Sequence, residues 1–228
     1  MPTWKDDHEL FALCRRELFP AVVGDVMDAE GLRHQFLPAQ IRPLREDMVV
    51  VGRAMPVLDV DCSGGEIAHE GRRRPFGLMF EALDDLKRGE VYVATGGSPR
   101  YALWGELMST RARILGAAGA VLNGYLRDSR GILRLGFPAF AWGNYAQDQG
   151  ARGRVVDFRC ALDFPGGVIV RPGDILFGDV DGVLVIPREH EADIVNKALE
   201  KVRGENKVRE AIEKGMSTRE AFDTFGIM

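Results

Sequence analysis

The sequence predicts an α/β protein built as one domain, residues 1–228, with helices at both ends of the chain. Residues 6–30 and the segment from Glu189 onward place apolar residues at helical spacing. The middle of the chain has short apolar runs separated by glycine and proline turns, which is typical of core strands. A chain of 228 residues with 46% hydrophobic residues has enough apolar side chains for a sizeable core.

The composition argues against several classes of protein. A formal net charge of -4 gives no electrostatic footprint for direct nucleic-acid binding. The three cysteines, Cys14, Cys62 and Cys160, lack CxxC spacing, so neither a disulfide framework nor a thiolate zinc site is indicated. The first residues lack the basic and apolar regions of a signal peptide, and no segment approaches the roughly 20 apolar residues of a membrane span. We therefore expect a cytoplasmic protein with reduced thiols and no membrane contact.

The N-terminal segment, residues 1–34, predicts two short helices that are broken at Pro20 and end at Gly31. A β-rich stretch follows from Met48 to Val60. Asp59 and Asp61 lie at alternate positions near its end, so both lie on one strand face. They either join a metal site or belong to the turn that ends the strand, and the turn is the commoner arrangement.

The most basic run of the chain is His69–Pro75, with arginines at 72 to 74. Such a run suits an anion or RNA contact, a loop that closes over an acidic substrate, or salt bridges to a neighbouring subunit. Because the whole chain is acidic, a solvated loop or an oligomer contact is favoured. Residues 76–86 then predict a helix, and residues 90–94 predict a strand.

The chain is organised around residues 95–128. Ser98 and Pro99 suit the N-cap and first position of a helix that ends near Gly116. Its apolar face is predicted to contain six residues at helical spacing, namely Leu103, Trp104, Leu107, Met108, Ile114 and Leu115. The apolar run at 119–122 predicts a core strand, and Gly124 marks the turn that follows it.

Arg127 and Asp128 come directly after this turn, at the carboxyl end of a strand, where ligands gather in α/β folds. A guanidinium binds a carboxylate or an enolate in bidentate fashion, and a carboxylate is a hard oxygen ligand for a divalent cation. A surface salt bridge or a helix start is the commoner use of such a pair.

The last part of the chain is β-rich from Ala151 to Pro187 and helical from Glu189 to Lys214. Ser217 then caps a final helix, Thr218–Phe225. Residues 189–228 therefore form a C-terminal helical extension. Its charged helix buries little apolar surface by itself, so we expect it to pack on a neighbour.

The segment LWGELMSTRARILGAAGAVLNGYLRD resembles the signature of the RraA-like family, which includes class II 4-hydroxy-4-methyl-2-oxoglutarate aldolases and a ribonuclease-activity regulator. Five further segments resemble that family in the same order, and they cover nearly the whole chain: GDVMDAEG, VVGRAMPV, LKRGEVYVATGG, RPGDILFGDVDGVLVIP and ENKVREAIEKGMSTREAFDTFGI. The resemblance implies a layered β/β/α sandwich with a mixed sheet, similar to a swivelling domain. It also implies a homotrimer or a dimer of trimers with the site at a subunit interface.

The resemblance also implies roles for single residues. Arg127 would bind the substrate carboxylate and the developing enolate oxygen, and Asp128 would be the direct protein ligand of Mg²⁺ or Mn²⁺. The loop at Gly105 and the backbone amides of Leu107 and Met108 would receive the pyruvyl carboxylate. Two glutamates would position metal-bound water, and the second of them would come from a neighbouring subunit: Glu106 and Glu205.

Two departures from the family pattern stand out. Asn123 occupies the position at which many aldolase members have aspartate, which changes the support of the loop before Arg127. The free amides at Leu107 and Met108 also conflict with a helix that begins at Pro99, because amides inside a helix are already bonded. We therefore expect the helix to break near Trp104 and Gly105.

The resemblance and the chemistry predict retro-aldol cleavage of a 4-hydroxy-2-oxo acid, of the 4-hydroxy-4-methyl-2-oxoglutarate type, to pyruvate. Decarboxylation of oxaloacetate is expected as a side activity because it gives the same enolate. The six lysines lie in polar contexts that do not favour an imine, so a metal is the expected means of stabilising the enolate. The four histidines are isolated, and no glycine-rich methyltransferase cofactor loop follows a first strand. The alternative is a non-catalytic regulator that binds a ribonuclease.

Overall fold

The computed structural model describes residues 4–62, the backbone of 68–69 and 72–73, and residues 75–226. Within these residues the α-helices are α1 Asp7–Glu17, α2 Pro20–Ala29, α3 Met79–Asp84, α4 Glu106–Leu115, α5 Ser129–Leu135, α6 Glu191–Glu213 and α7 Thr218–Phe225. The strands are β1 Arg42–Pro43, β2 Val50–Asp61, β3 Ala68–His69, β4 Arg72–Arg73, β5 Glu90–Thr95, β6 Ala102–Trp104, β7 Gly119–Leu122, β8 Tyr125–Leu126, β9 Ala139–Ala141, β10 Gly143–Asn144, β11 Gly153–Phe158, β12 Leu162–Phe164, β13 Val168–Val170, β14 Ile175–Asp179 and β15 Gly182–Ile186.

One large mixed sheet forms the centre of the fold, with the strand order β1-β9-β7-β5-β2-β14-β15. Strands β2, β5, β7 and β9 run parallel, whereas β14 and β15 are antiparallel to their neighbours. The long strand β2 pairs with β14 through its first half and with β11 through its second half. A smaller parallel sheet, β10-β8-β6, lies beyond the ends of β7 and β9. The α/β class and the mixed sheet predicted from the sequence are confirmed.

Both faces of the large sheet are buried, as the alternation along β5 shows. Tyr92 and Ala94 belong to a core that the sheet shares with α3, α4 and α5. Val91 and Val93 point to the opposite face, into a core that includes the β12–β13 hairpin. A third core packs α1, α2 and α6 against β2, β14 and β15. The continuous apolar sequence of the central strands follows from this coverage on two sides.

The predicted end helices are confirmed. The break at Pro20 separates α1 from α2, and Ser217 caps α7 through a reciprocal capping box with Glu220. A 3₁₀ turn at Arg188–His190 precedes α6, which packs on α2 through buried side chains that include Ile194 and Ala198.

The predicted helix from Pro99 is wrong at its start, and the expected break near Trp104 and Gly105 is confirmed. Residues 102–104 pair in parallel with β8, so they form strand β6, and α4 begins at Glu106. Because α4 starts later than predicted, its buried face contains different residues from those predicted. Leu107 is 83% exposed and Ile114 is 70% exposed, whereas Leu103 and Trp104 are buried on the strand.

The helix predicted for 76–86 is shorter, because Phe76 and Gly77 have φ of 68° and 65°, outside the right-handed helical region. The helix α3 therefore starts at Met79. The side chains of the predicted basic run, Arg72–Arg74, lie outside the described residues. Among the described residues, no helix is both long and apolar enough to cross a membrane.

Candidate active site

The small sheet and α5 position Arg127 and Asp128. The backbone N–H of Arg127 donates to the carbonyl oxygen of Trp104 at 2.9 Å, which extends the pairing of β8 with β6 by one residue. Asp128 is the residue before α5 and has φ of 58°, a left-handed conformation that is uncommon outside glycine. This turn places the two side chains beside each other at the carboxyl end of β8, as the sequence predicts.

Arg127 lies between two carboxylates. Its Nη1 is 2.9 Å from Oδ1 of Asp148, and its Nε is 3.6 Å from Oδ2 of Asp128. All three side chains are about two-fifths exposed, so the ion pairs are screened and hold the guanidinium in place more than they stabilise the fold. The guanidinium group therefore faces Asp148 through Nη1 and Asp128 through Nε.

The start of α4 lies against this cluster. The first backbone hydrogen bond of the helix runs from Ser109 N–H to Gly105 C=O at 3.1 Å, so the amides of Leu107 and Met108 precede the intrahelical ladder. The hydroxyl of Ser109 also donates to Gly105 C=O and accepts from the indole N–H of Trp104, and these bonds fix the turn. Amides at a helix start suit an anion such as a carboxylate.

Gly105 allows Asp128 to approach the helix start. A Cβ atom at position 105 would lie 2.7 Å from Oδ2 of Asp128, closer than real contacts allow. The same oxygen is 3.4 Å from the backbone nitrogen of Glu106, a long hydrogen bond. The carboxylate of Asp128 is therefore positioned by the helix start without a short hydrogen bond to it.

Glu106 points away from this carboxylate toward α5. A Cβ atom at Gly131 would lie 2.0 Å from the Glu106 carboxyl carbon, so the glutamate packs directly over that glycine. Nη2 of Arg134 is 3.5 Å from Glu106 Oε1. The glutamate is thus beside the site but is not one of the residues lining the cavity described next.

A cavity of about 300 Å³ opens beside these groups. Its polar lining comes from Arg127, Asp128, Asp148 and Gln149. The start of α4 contributes Gly105, Leu107 and Met108. The remaining lining residues are apolar and come from β6 and from the segment around α3: Phe76, Met79, Phe80, Leu83, Ala102, Leu103 and Trp104.

A buried carboxyl group lies behind the cavity. Asp59 is 2% exposed and accepts a hydrogen bond of 2.6 Å from the side-chain amide of Gln149. Burial raises the pKa of Asp59 to about 7, against the opposing effect of that hydrogen bond. Asp61 instead accepts from the Ser98 N–H, Arg100 and the Tyr101 hydroxyl, and these bonds, led by the one from Ser98, lower its pKa to about 2. The two aspartates therefore do not face one shared ligand, and the strand-end turn explains Asp61.

Asn123 follows β7 and links the ends of neighbouring strands of the large sheet. Its amide N–H₂ donates to the Thr95 hydroxyl at 2.9 Å, and its carbonyl oxygen accepts from the indole N–H of Trp142 at 3.1 Å. An asparagine provides both a donor and an acceptor here, whereas an ionised aspartate provides only acceptors. The asparagine thus ties β7 to β5 and to the end of β9.

Glu205 lies away from the cavity within one chain. It is on α6, where Nζ of Lys201 is 3.9 Å from its carboxylate and 2.6 Å from Asp25 of α2. It is not among the residues that line the cavity. The described chain therefore does not bring Glu205 into the cavity lining.

The donor set fits a divalent cation held by a single protein carboxylate. Mg²⁺ usually keeps several waters and takes one or two carboxylates plus substrate oxygens, and Asp128 supplies one carboxylate that has no short hydrogen bond. No cluster of three or more His, Cys, Asp or Glu side chains suited to a metal occurs among the described residues, so an all-protein cage is not found there.

Asp148, Gln149, Phe76 and Phe80 line the cavity, but the sequence does not predict them as site residues. Asp148 and Gln149 belong to an irregular loop, residues 145–150, with no periodicity to indicate its position. The sequence predicts Phe76 and Phe80 as residues of an ordinary helix over 76–86. Their proximity to Arg127 depends on how β6, α3 and the loop pack, and no local pattern encodes that packing.

Comparisons with known proteins show which family the chain belongs to. Residues 20–185 match the family model described as RraA-like, Aldolase/RraA. The chain is 35% identical over 184 residues to a protein from Halalkalibacterium halodurans with the provisional name 4-hydroxy-4-methyl-2-oxoglutarate aldolase, covering 78% of this chain and 77% of that protein. It is 27% identical to protein DlpA of Legionella pneumophila over 90% of this chain, which spans only 32% of DlpA.

A solved structure has the same fold. The crystal structure of Streptomyces coelicolor RraAS2, described as an unusual member of the RNase ES inhibitor RraA protein family, superposes with a TM-score of 0.76. It is 23% identical in sequence, and the match covers 91% of this chain and 99% of that one. The family match and the relative at 35% identity establish that the chain belongs to the RraA-like family.

Proposed function

We propose that the protein is a divalent-metal-dependent lyase that cleaves a 4-hydroxy-2-oxo acid, of the 4-hydroxy-4-methyl-2-oxoglutarate type, to pyruvate. Decarboxylation of oxaloacetate is the expected side activity. The observation that carries the proposal is that Arg127, Asp128 and two residues of the first turn of α4, Leu107 and Met108, line one cavity. The provisional aldolase name of the relative at 35% identity supports the same reaction class.

The reaction breaks the bond between C3 and C4 of the substrate and leaves a pyruvate enolate. In this proposal the amides of Leu107 and Met108 bind the substrate carboxylate, and the Arg127 guanidinium offsets the charge that develops on the enolate oxygen. A Mg²⁺ or Mn²⁺ ion held by Asp128 would supply Lewis acidity at the keto and carboxylate oxygens.

The proton of the 4-hydroxyl must leave as the bond breaks. Glu106 lies beside the site, on the α5 side of the helix start, and Glu205 would reach it only from a neighbouring subunit. We propose that these two carboxylates orient the water that accepts this proton. The active protein is then a homotrimer or a dimer of trimers with the site at a subunit interface.

The test is to replace the two central residues one at a time. Arg127→Ala and Asp128→Ala should each lower aldol cleavage and oxaloacetate decarboxylation together, by at least about a hundredfold, because both reactions form the same enolate. Arg130→Ala, an exposed arginine on α5, is the matched control. Loss of one activity with retention of the other would refute the shared enolate. A ribonuclease-binding regulator becomes the better account if neither activity occurs in the folded oligomer.

A further inference from the structure

Arg127 and Asp128 are adjacent residues of opposite charge, yet the proposed function gives them different ions to bind. A guanidinium and a carboxylate in direct contact form a pair with N···O distances of about 2.7–2.9 Å. Here the two groups approach only to 3.6 Å, between Nε of Arg127 and Oδ2 of Asp128. The pair is therefore open, and another contact must hold the guanidinium away from Asp128.

Asp148 makes that contact. Its Oδ1 is 2.9 Å from Nη1 of Arg127, which is the distance of a close ion pair. Because charge attraction weakens with distance, the guanidinium is held more closely by Asp148 than by Asp128. Asp148 belongs to the loop that follows β10, so its position does not depend on the turn that joins Arg127 to Asp128.

The backbone of this loop, residues 145–150, is fixed to the small sheet that carries Arg127. The N–H of Tyr145 donates to the carbonyl oxygen of Leu126, the residue directly before Arg127, at 2.9 Å. The carbonyl oxygen of Gln147 accepts from the N–H of Ala102, the first residue of β6, at 2.9 Å. The loop and the end of β8 are therefore fastened to each other on both sides of the site.

Two more contacts fix the residues at the end of the loop. Gln149 is 4% exposed, and its side-chain amide donates to the buried carboxylate of Asp59 on β2 at 2.6 Å. Arg152 donates from its backbone N–H to the carbonyl oxygen of Gln149 at 2.7 Å and from Nη1 to that of Asp148 at 3.2 Å. A buried polar side chain is costly unless it is hydrogen-bonded, so Gln149 anchors the loop firmly. The Asp148 carboxylate is thus presented to Arg127 from a fixed backbone.

We propose that Asp148 is a positioning residue that holds Arg127 apart from Asp128, leaving Asp128 to the divalent cation and Arg127 to the substrate anion. This inference rests on the proposed function for the identity of the two ions. It assigns a role at that site to the loop that follows β10. Without Asp148, the guanidinium should close onto Asp128 and compete with the cation for its carboxylate.

The first experiment measures Mg²⁺ affinity by calorimetry in the full-length oligomer, so that residues of neighbouring subunits are present in every sample. Asp148→Asn should weaken Mg²⁺ binding by about fivefold or more, because Arg127 then competes for Asp128. Asp148→Glu keeps a carboxylate and should stay within about twofold of the wild type. The control is Asp47→Asn, which breaks the exposed ion pair between Arg45 and Asp47 outside the cavity lining and should have no effect.

A double-mutant cycle decides whether Asp148 acts through Arg127. In the Arg127→Ala background, Asp148→Asn should change Mg²⁺ affinity by less than about twofold, because the competing guanidinium is gone. An equal loss of affinity in both backgrounds would contradict the inference, since Asp148 would then act only through its charge. A loss in both backgrounds as severe as that of Asp128→Ala would contradict it as well, because Asp148 would be a metal ligand.

Oxalate, a dianion similar in shape and charge to the pyruvate enolate, tests the second ion. In Mg²⁺-loaded protein, Arg127→Ala and Asp148→Asn should each weaken oxalate binding. The double variant should bind oxalate no more weakly than Arg127→Ala alone. In metal-free crystals of Asp148→Asn, Nε of Arg127 should lie within about 3.0 Å of the Asp128 carboxylate. A distance that stays at 3.6 Å would contradict the proposed closure.

These measurements need no turnover, so they separate the inference from the proposed lyase. Coupled loss of Mg²⁺ affinity, without pyruvate release from any 2-oxo acid, would refute the lyase and retain the role of Asp148. Pyruvate release together with unchanged Mg²⁺ and oxalate binding in folded Asp148→Asn would refute that role and retain the lyase. A wild-type oligomer that binds neither Mg²⁺ nor Mn²⁺ would refute both.

Discussion

Asp59 is a buried acid whose ionisation opposes folding. Asp59 is 2% exposed, and its carboxylate accepts a hydrogen bond from the Gln149 side-chain amide. Burial raises its pKa from 3.8 to about 7 in the folded protein, whereas the unfolded chain keeps a value near 3.8. At a pH between 3.8 and about 7, Asp59 is protonated in the folded protein and ionised in the unfolded chain. The contribution of Asp59 to the free energy of unfolding therefore falls as the pH rises from about 4 to about 7.

Replacing Asp59 with asparagine should remove this pH dependence. An asparagine stays neutral and still offers an oxygen to Gln149. At pH 8 the variant should be more stable than the wild type by on the order of a few kcal/mol, and near pH 4 the two should be similar. Urea unfolding at pH 4.5, 6 and 8 gives the difference between the two proteins. A difference that does not change with pH would contradict a buried, protonated Asp59.

At the residue scale, the sequence predicts contacts between residues adjacent in the chain better than contacts between residues far apart in the chain. Arg127 and Asp128 are adjacent in the chain, so a single strand end is enough to bring them together. Asp148 reaches Arg127 from a loop 21 residues further on, and Gln149 reaches Asp59 across 90 residues. No spacing rule connects such pairs, because tertiary packing determines them.

At the scale of elements, the start of α4 depends on Gly105. The residue has an extended backbone with φ of -152°, which any residue adopts, so glycine is required only for the space beside Asp128. The same turn is fixed by Ser109 and Trp104. A larger residue at 105 therefore changes the position of one carboxylate more than it changes the fold.

Gly105→Ala tests this arrangement. The new Cβ would displace the Asp128 carboxylate, so Mg²⁺ affinity and kcat/KM should fall by at least about tenfold. The free energy of unfolding should change by less than about 1 kcal/mol. Ile114→Ala, an exposed position on the same helix, is the control. Unchanged metal affinity, measured by calorimetry, would show that Gly105 does not position Asp128.

The beginning of α4 also shows where local signals compete. Ser98 and Pro99 are residue types that suit a helix start, but residues 102–104 gain parallel pairing with β8 and stay extended. Tertiary pairing thus overrides a local cap. By contrast, α7 begins where Ser217 predicts, and a reciprocal capping box with Glu220 supports this start.

At the scale of the whole molecule, the fold follows from patterns that repeat along the chain. Helical spacing at the ends and short apolar runs in the middle predict the α/β class, and the sheet has two buried faces. The strand order, with β2 between β5 and β14, could not be read from the sequence, since it depends on which strands meet after folding.

In the proposed function Glu205 comes from a neighbouring subunit, so that proposal makes the site a property of the oligomer. Arg127→Ala and Glu205→Ala should each be nearly inactive alone. When the two are unfolded, mixed and refolded together, some interfaces should combine a native Arg127 with a native Glu205, and part of the pyruvate release should return. Variants refolded separately and then combined at low temperature are the control. No recovery in proven mixed oligomers would contradict a glutamate supplied by the neighbouring subunit.

The central claim is an enolate-forming site at Arg127 and Asp128. It is tested most directly by measuring pyruvate release from 4-hydroxy-4-methyl-2-oxoglutarate and from oxaloacetate, with Mg²⁺ and after chelation. The account predicts release from both with the metal, loss of release after chelation, and recovery when Mg²⁺ or Mn²⁺ is restored. Absence of release from both substrates, in a folded and metal-loaded oligomer, would contradict it.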